Sequence, residues 1–139
     1  MATAPDEPID DPTIPDEVWA LRRVHISQFQ NGRPDSSVYK AGNEGIGTSV
    51  TLFRGPEDLT NIRAGYPSHG VVTNPVQAFR AVDLGIMYTP EEGNPNHCEV
   101  FGQRGKSVMR NLATQARWVV RPEGIGEDQI PELFIPPAH

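Results

Sequence analysis

The stretch Val18-Trp-Ala-Leu-Arg-Arg-Val-His-Ile26 decides the fold, because it is rich in strand-forming residues and alternates between two faces. In an extended strand every second side chain points to the same side, so Arg22 shares a face with Ala20 and Val24. Its neighbour Arg23 falls on the opposite face. We therefore predict a strand in which one arginine must share a face with apolar neighbours.

Short strands and helices alternate along the rest of the chain. A turn is predicted at Asn31-Gly32, and a turn-rich loop at 90–96 is expected to join two neighbouring strands that pair with each other. Because there is no regular βαβ rhythm, we predict a compact single α+β domain with a small mixed or antiparallel sheet and two or three short helices. Strands are predicted at 36–40, 47–53, 70–73, 85–89, 97–101 and 118–120, and helices at 55–62, from Asn74-Pro75 to a stop at Gly85, and at 106–117.

Both ends of the chain are acidic and rich in proline. Residues 1–17 carry six acids and residues 122–139 carry four, without Lys or Arg, and together they hold eight of the fourteen prolines. Since proline fixes φ and removes a backbone donor, neither segment should form a long helix or an interior strand. We expect a disordered acidic tail at 1–17, an α+β core domain at 18–121 and an acidic C-terminal tail at 122–139.

The core is mildly basic although the whole chain has a net charge of −6. All twelve basic residues lie within 18–121, against eight acidic ones. Such a division of charge fits a basic face that binds an anion or an acidic partner, with the tails competing for it. It equally fits tails that are simply solvated.

Several classes of protein are excluded by composition and by missing motifs. A single cysteine, Cys98, rules out an internal disulfide and a multi-cysteine metal site. The sequence lacks an apolar run of the about 20 residues that a membrane span needs, and the features of a signal peptide. It also lacks the phosphate-loop, dinucleotide, nucleophile-elbow and zinc-protease motifs, and the glycines at 42–47 are interpreted as a turn. We expect a soluble cytoplasmic protein without cofactor or metal.

The arginine pair is the main candidate for a binding site. An arginine on a central strand is costly unless it is paired, so Arg22 and Arg23 either bridge a carboxylate such as Glu99 or face an anionic ligand. Ser37 and Ser49, near predicted strand ends, would add hydroxyl contacts to the same anion. The sequence thus indicates an anion site at the first strand.

His97 starts an apolar strand just after the turn-rich loop at 90–96. Its near-neutral pKa suits a general base or a metal ligand, and the alternative is a structural histidine. Adjacent strand residues point to opposite sides, so His97 and Cys98 do not form a directly paired base and nucleophile. His25 and His69 are not at short ligand spacing, so we predict no metal site.

The stretch 104–121 contains five basic residues and no acidic residue. Lys106, Arg110 and Arg117 are expected on one face of the third helix, where they would meet phosphates or an acidic protein surface. No aromatic residues interleave with them to stack on bases. Nucleic-acid binding and a solvated basic face both remain open.

The C-terminal tail contains an apolar run in a polar setting. Such a run either packs back on the body or docks into a partner as an extended peptide. The residues concerned are Ile130, Leu133, Phe134 and Ile135.

The order of five short motifs resembles a group of small bacterial proteins with no assigned activity. The resemblance spans most of Val18 to Val120 and implies a bacterial source. It makes five residues the first candidates for a functional site: Arg22, Arg23, Ser37, Ser49 and His97. The motifs are Leu-Arg-Arg at 21–23, Ser-Ser-Val-Tyr at 36–39, Gly-Thr-Ser-Val at 47–50, Asn-Pro-Asn-His at 94–97 and Lys-Ser-Val-Met-Arg-Asn-Leu-Ala at 106–113.

An arginine on a first strand with a serine on a later one also resembles the layout of ADP-ribosyltransferase-like domains, which bind NAD between such strands. The Glu-x-Glu loop of that family is missing, so Glu99 would replace its catalytic glutamate alone. With His97 as a base, the catalytic candidates are Arg22, Arg23, Ser49, His97 and Glu99.

Three functions follow from these observations. Because no complete catalytic set is present, the leading hypothesis is a non-catalytic protein-interaction or accessory module of a bacterial multi-protein system, with an anion-seeking basic face. A small NAD-using enzyme of ADP-ribosyltransferase type is the alternative, and a nucleic-acid-binding protein is the third. A protein partner is expected, and a membrane is not.

Overall fold

The computed structural model describes residues 9–41 and 47–139. Within these residues a six-stranded antiparallel sheet, a two-stranded ribbon and three α-helices form one α+β body, which confirms the predicted fold class. Residues 42–46 of the turn predicted at 42–47, and the first eight residues of the acidic tail, lie outside the described residues. The strands are β1 (Trp19–Val24), β2 (Phe29–Gln30), β3 (Arg33–Pro34), β4 (Thr48–Leu52), β5 (Gly70–Pro75), β6 (Gly85–Tyr88), β7 (His97–Phe101) and β8 (Arg117–Val120); the helices are α1 (Pro56–Arg63), α2 (Val76–Arg80) and α3 (Lys106–Gln115), and 3₁₀ turns cover Ile26–Gln28 and Ser36–Tyr39.

The first strand lies in the interior of the sheet, whose order is β6-β7-β4-β1-β5-β8. All six residues of β1 pair with β5, from Trp19 opposite Pro75 to Val24 opposite Gly70. On its other side, β1 pairs with β4 only through Ala20 and Leu21. Beyond Leu21 the two strands separate, which leaves a gap in the middle of the sheet.

The two faces of the sheet are covered unequally. The α3 face carries Val24 and Val50, which join buried residues of α3 such as Leu112 in the larger apolar cluster. The α1 face carries a smaller cluster in which Leu21 packs with Ile62 of α1. Because α1 has only eight residues, it covers part of its face and leaves the rest open.

The hairpin turn is confirmed. Asn31 and Gly32 have φ values of 51° and 82°, and β2 and β3 pair on either side of them. Both central residues of the turn thus occupy the left-handed region that a tight two-residue hairpin requires. The predicted pairing of the strands around loop 90–96 is also confirmed, because β6 and β7 are antiparallel neighbours.

The strand predicted at 36–40 is wrong. This segment is a 3₁₀ turn, because the side chain of Asp35 accepts a hydrogen bond from the backbone N–H of Ser37 at 2.8 Å and so caps a helical start. The same carboxylate also accepts a hydrogen bond from the Ser37 hydroxyl. A local side-chain contact therefore outweighed the strand propensity of the segment.

The third helix is shorter than predicted. Ala116 caps it with extended backbone, at ψ 143°, so that Arg117 becomes the first residue of β8. The prediction that Arg117 shares a helical face with Lys106 and Arg110 is therefore wrong.

Residues 9–17, which belong to the segment predicted to be a disordered tail, contact the body of the fold. Ile14 is buried, and its carbonyl oxygen accepts a hydrogen bond from Arg80 of α2. The Arg80 guanidinium also pairs with Asp10 at 3.2 Å and with Asp16 at 2.7 Å. The backbone N–H of Asp11 donates to the carbonyl of Ile86, so this segment covers the β6 edge of the sheet.

The C-terminal apolar run packs back on the body through two of its four residues. Ile130 is buried, and the backbone N–H of Phe134 donates to Trp118 of the edge strand β8. The Phe134 ring lies 4.8 Å from that of Trp19. Leu133 and Ile135 stay exposed, so only they remain available to a partner. In the described part of the chain, no helix is long and apolar enough to cross a bilayer.

Candidate functional site

A cleft of about 360 Å³ opens on the uncovered part of the α1 face, over the gap between β1 and β4. One wall comes from the end of α1 and the loop after it, and the opposite wall comes from the loop at 90–96. The side chains that give the cleft its chemistry are Arg22, Arg23, Ser49, Tyr66, Asn94 and His97.

Arg22 closes the bottom of the cleft. Its side chain enters the gap where the β1–β4 ladder stops, and it donates from Nε to the carbonyl of Val38 and from Nη1 to the carbonyl of Ser49, both at 2.9 Å. The guanidinium thus takes the place of missing backbone pairs. Burial, followed by the charge of Arg23, lowers its pKa to about 10. The sequence predicted that Arg22 pairs with a carboxylate or contacts a ligand, and it did not predict these two carbonyl partners.

Arg23 forms one wall of the cleft. Its Nη1 donates to the carbonyl of Ile62 at 3.0 Å, and its guanidinium carbon lies 3.8 Å from the centre of the Tyr66 ring. A planar guanidinium held by a carbonyl and a π face has little freedom to turn. Among the described residues, neither Arg22 nor Arg23 forms an ion pair. The cleft therefore has a positive wall with its donors already oriented.

His97 lies on the opposite wall with a fixed ring. Its Nδ1 is 2.8 Å from the carbonyl oxygen of Thr89 and 3.0 Å from the hydroxyl of the same residue. Because a carbonyl oxygen only accepts, Nδ1 carries the hydrogen and Nε2 is an acceptor when the ring is neutral. Nε2 lies 3.7 Å from a carboxylate oxygen of Glu91.

Asn94 anchors the loop at 90–96 to the sheet. Its Nδ2 donates to the Thr51 hydroxyl at 3.0 Å. The residue exposes only 9 % of its surface, and its Oδ1 is buried without a hydrogen-bond partner. A buried polar atom without a partner is costly, and this oxygen is enclosed by the protein.

The structure brings only some of the predicted residues together. Arg22, Arg23, Ser49 and His97 all line the cleft. Glu99 lies opposite Ser49 in the β4–β7 pairing, but its carboxylate accepts a hydrogen bond from the backbone N–H of Gly47 at 2.9 Å and does not line the cleft.

The remaining predicted residues lie elsewhere. Ser37 bonds to Asp35 in its 3₁₀ turn, away from the cleft. Lys106 and Arg110 are exposed on α3. Arg117 is on β8, where its guanidinium carbon lies 3.8 Å from the centre of the Phe134 ring. These positions do not combine with the cleft into one anion site.

Tyr66 belongs to a row of rings that sequence reasoning missed. His69 lies edge-on to Tyr66 and to His25, each at 5.1 Å between ring centres. Burial lowers the pKa of His69, and the nearby charges of His25 and Arg23 lower it further. No group of three metal-ligating side chains occurs within residues 9–41 and 47–139.

Comparison with protein families, with curated proteins and with solved structures finds no match to this chain. The site must therefore be interpreted from its own chemistry. Tyr66, Glu91 and Asn94 were missed because they lie on loops, and the one available signal was the turn-rich segment beside His97.

Proposed function

We propose that this chain is a non-catalytic interaction module whose cleft receives an acidic group of a protein partner. The observation that carries the proposal is the wall built by Arg23, whose guanidinium is oriented by Ile62 and Tyr66 and lacks a carboxylate among the described residues. Arg22 adds a second positive charge beneath it. A pre-oriented guanidinium binds a carboxylate with less loss of entropy than a free side chain.

The same geometry favours binding over catalysis. The Arg22 guanidinium is engaged by two backbone carbonyls, and the Glu99 carboxylate is engaged by the Gly47 amide outside the cleft. Glu99 also does not line the cleft, so its carboxylate is not positioned for the NAD chemistry that the ADP-ribosyltransferase layout implies. We propose an accessory role in a bacterial multi-protein system, in line with the motif resemblance.

Peptide binding by fluorescence polarisation tests this function. A labelled peptide with two aspartates in a neutral background is compared with its asparagine counterpart, on the wild type and on Arg23→Gln. We expect the wild type to prefer the acidic peptide and Arg23→Gln to lose at least about tenfold in affinity, or about 1.4 kcal/mol. Arg110→Gln, which removes an exposed arginine from α3, is the matched control and should bind as the wild type does.

A second variant separates charge from orientation. Tyr66→Leu keeps the Arg23 charge but removes the ring that holds the guanidinium, so we expect weaker binding of the acidic peptide with an unchanged salt dependence. Equal affinity of wild type and Arg23→Gln would refute the proposal. Turnover of NAD that is lost in Arg22→Ala would favour the enzyme instead.

A further inference from the structure

The two walls of the cleft carry side chains of opposite charge, and from this we infer that its occupant is a dipolar segment of the partner protein, with an acidic and a basic side chain close together. This inference rests on the proposed function, because it uses the same cleft. It adds a requirement for a positive group on the partner, which the arginine wall alone does not impose.

The loop wall carries two carboxylates. Glu91 and Glu92 are exposed at the rim and line the cleft, and each carries a carboxylate. His97 presents Nε2, which is an acceptor while the ring is neutral because Nδ1 donates to the Thr89 carbonyl. An ammonium or guanidinium group is the natural partner of such a wall. A purely anionic ligand would place its negative charge in the same cleft as the Glu91 and Glu92 carboxylates.

The two arginines of the opposite wall offer donors only. A guanidinium has five N–H groups and no acceptor. Arg23 uses one nitrogen for Ile62, and Arg22 uses two for backbone carbonyls, so donors remain on both. An acid on the partner would therefore lie against this wall while a neighbouring base lies against the other.

A peptide cycle on the full chain tests the inference. Four peptides carry an aspartate with a lysine, the aspartate alone, the lysine alone, or neither, with the two charges adjacent or one residue apart. We expect the lysine to improve binding of the aspartate peptide by about tenfold on the wild type. That improvement should vanish in Glu91→Gln/Glu92→Gln and persist in Glu127→Gln/Glu132→Gln, which removes two exposed acids elsewhere.

The outcomes separate this inference from the proposed function. An added lysine that brings no improvement, or an improvement that survives in Glu91→Gln/Glu92→Gln, overturns the dipolar ligand. Binding of the aspartate-only peptide that still depends on Arg23 would then leave the anion-receiving cleft standing. Aspartate binding that is unaffected by Arg23→Gln overturns both.

Discussion

Replacing Ile14 by alanine should destabilise the fold strongly although Ile14 lies in the segment with the sequence character of a disordered tail. Ile14 exposes 1 % of its surface, whereas Ile9 on the same segment exposes 57 %. Ile14→Ala removes three buried carbons, at about 0.8 kcal/mol each, and leaves a cavity in addition. We therefore expect a loss of about 3 kcal/mol for Ile14→Ala and less than about 0.5 kcal/mol for Ile9→Ala.

Thermal unfolding followed by tryptophan fluorescence measures this difference. For a chain of 139 residues, 1 kcal/mol shifts Tm by about 3 °C, so Ile14→Ala should melt about 10 °C below the wild type and Ile9→Ala within about 2 °C of it. A small, equal effect of both substitutions would refute the reasoning, because it would show that residues 9–17 contribute nothing to the packed body.

Three further predictions concern buried polar groups. Tyr39→Phe should cost about 1–3 kcal/mol in chemical denaturation, because the buried Tyr39 hydroxyl donates to Asn74 Oδ1 and its loss leaves that oxygen unpaired. Burial raises the pKa of Cys98 to about 12, so iodoacetamide at pH 8 should label the thiol only after unfolding, and rapid labelling of the native protein would contradict this burial. The pKa of His69 in the folded state lies below its unfolded value near 6.5, so its contribution to stability is present above pH 6.5 and is lost as pH falls. His69→Gln should therefore lose less stability than the wild type between pH 7 and 5. Parallel curves of unfolding free energy against pH for the two proteins would contradict the shift.

The parts of the fold that short-range patterns determine could be predicted. Alternation along 18–26 predicted β1, and Asn31-Gly32 predicted the hairpin because the turn geometry depends on those two residues. The 3₁₀ turn at 36–39 was missed because a single side chain, Asp35, changes the local balance.

Long-range packing is the part that the sequence could not supply. Proline and charge in residues 9–17 predicted a disordered tail, and they gave no indication of the contacts that this segment makes with Arg80 of α2, more than sixty residues away. The partners of Arg22 are backbone carbonyls, which no residue pattern identifies. Arg23 and Ser49, which the sequence singled out, both line the cleft, whereas Asn94 reaches it only through the placement of a loop.

The most direct test of the central claim is an NMR titration of the ¹⁵N-labelled chain with the aspartate-only peptide. An anion-receiving cleft predicts that backbone amides of Arg23, Ser49 and Tyr66 shift together with the Asn94 side-chain amide, and that added salt reverses the shifts. Shifts confined to α3 around Arg110, with the cleft resonances unmoved, would contradict the account.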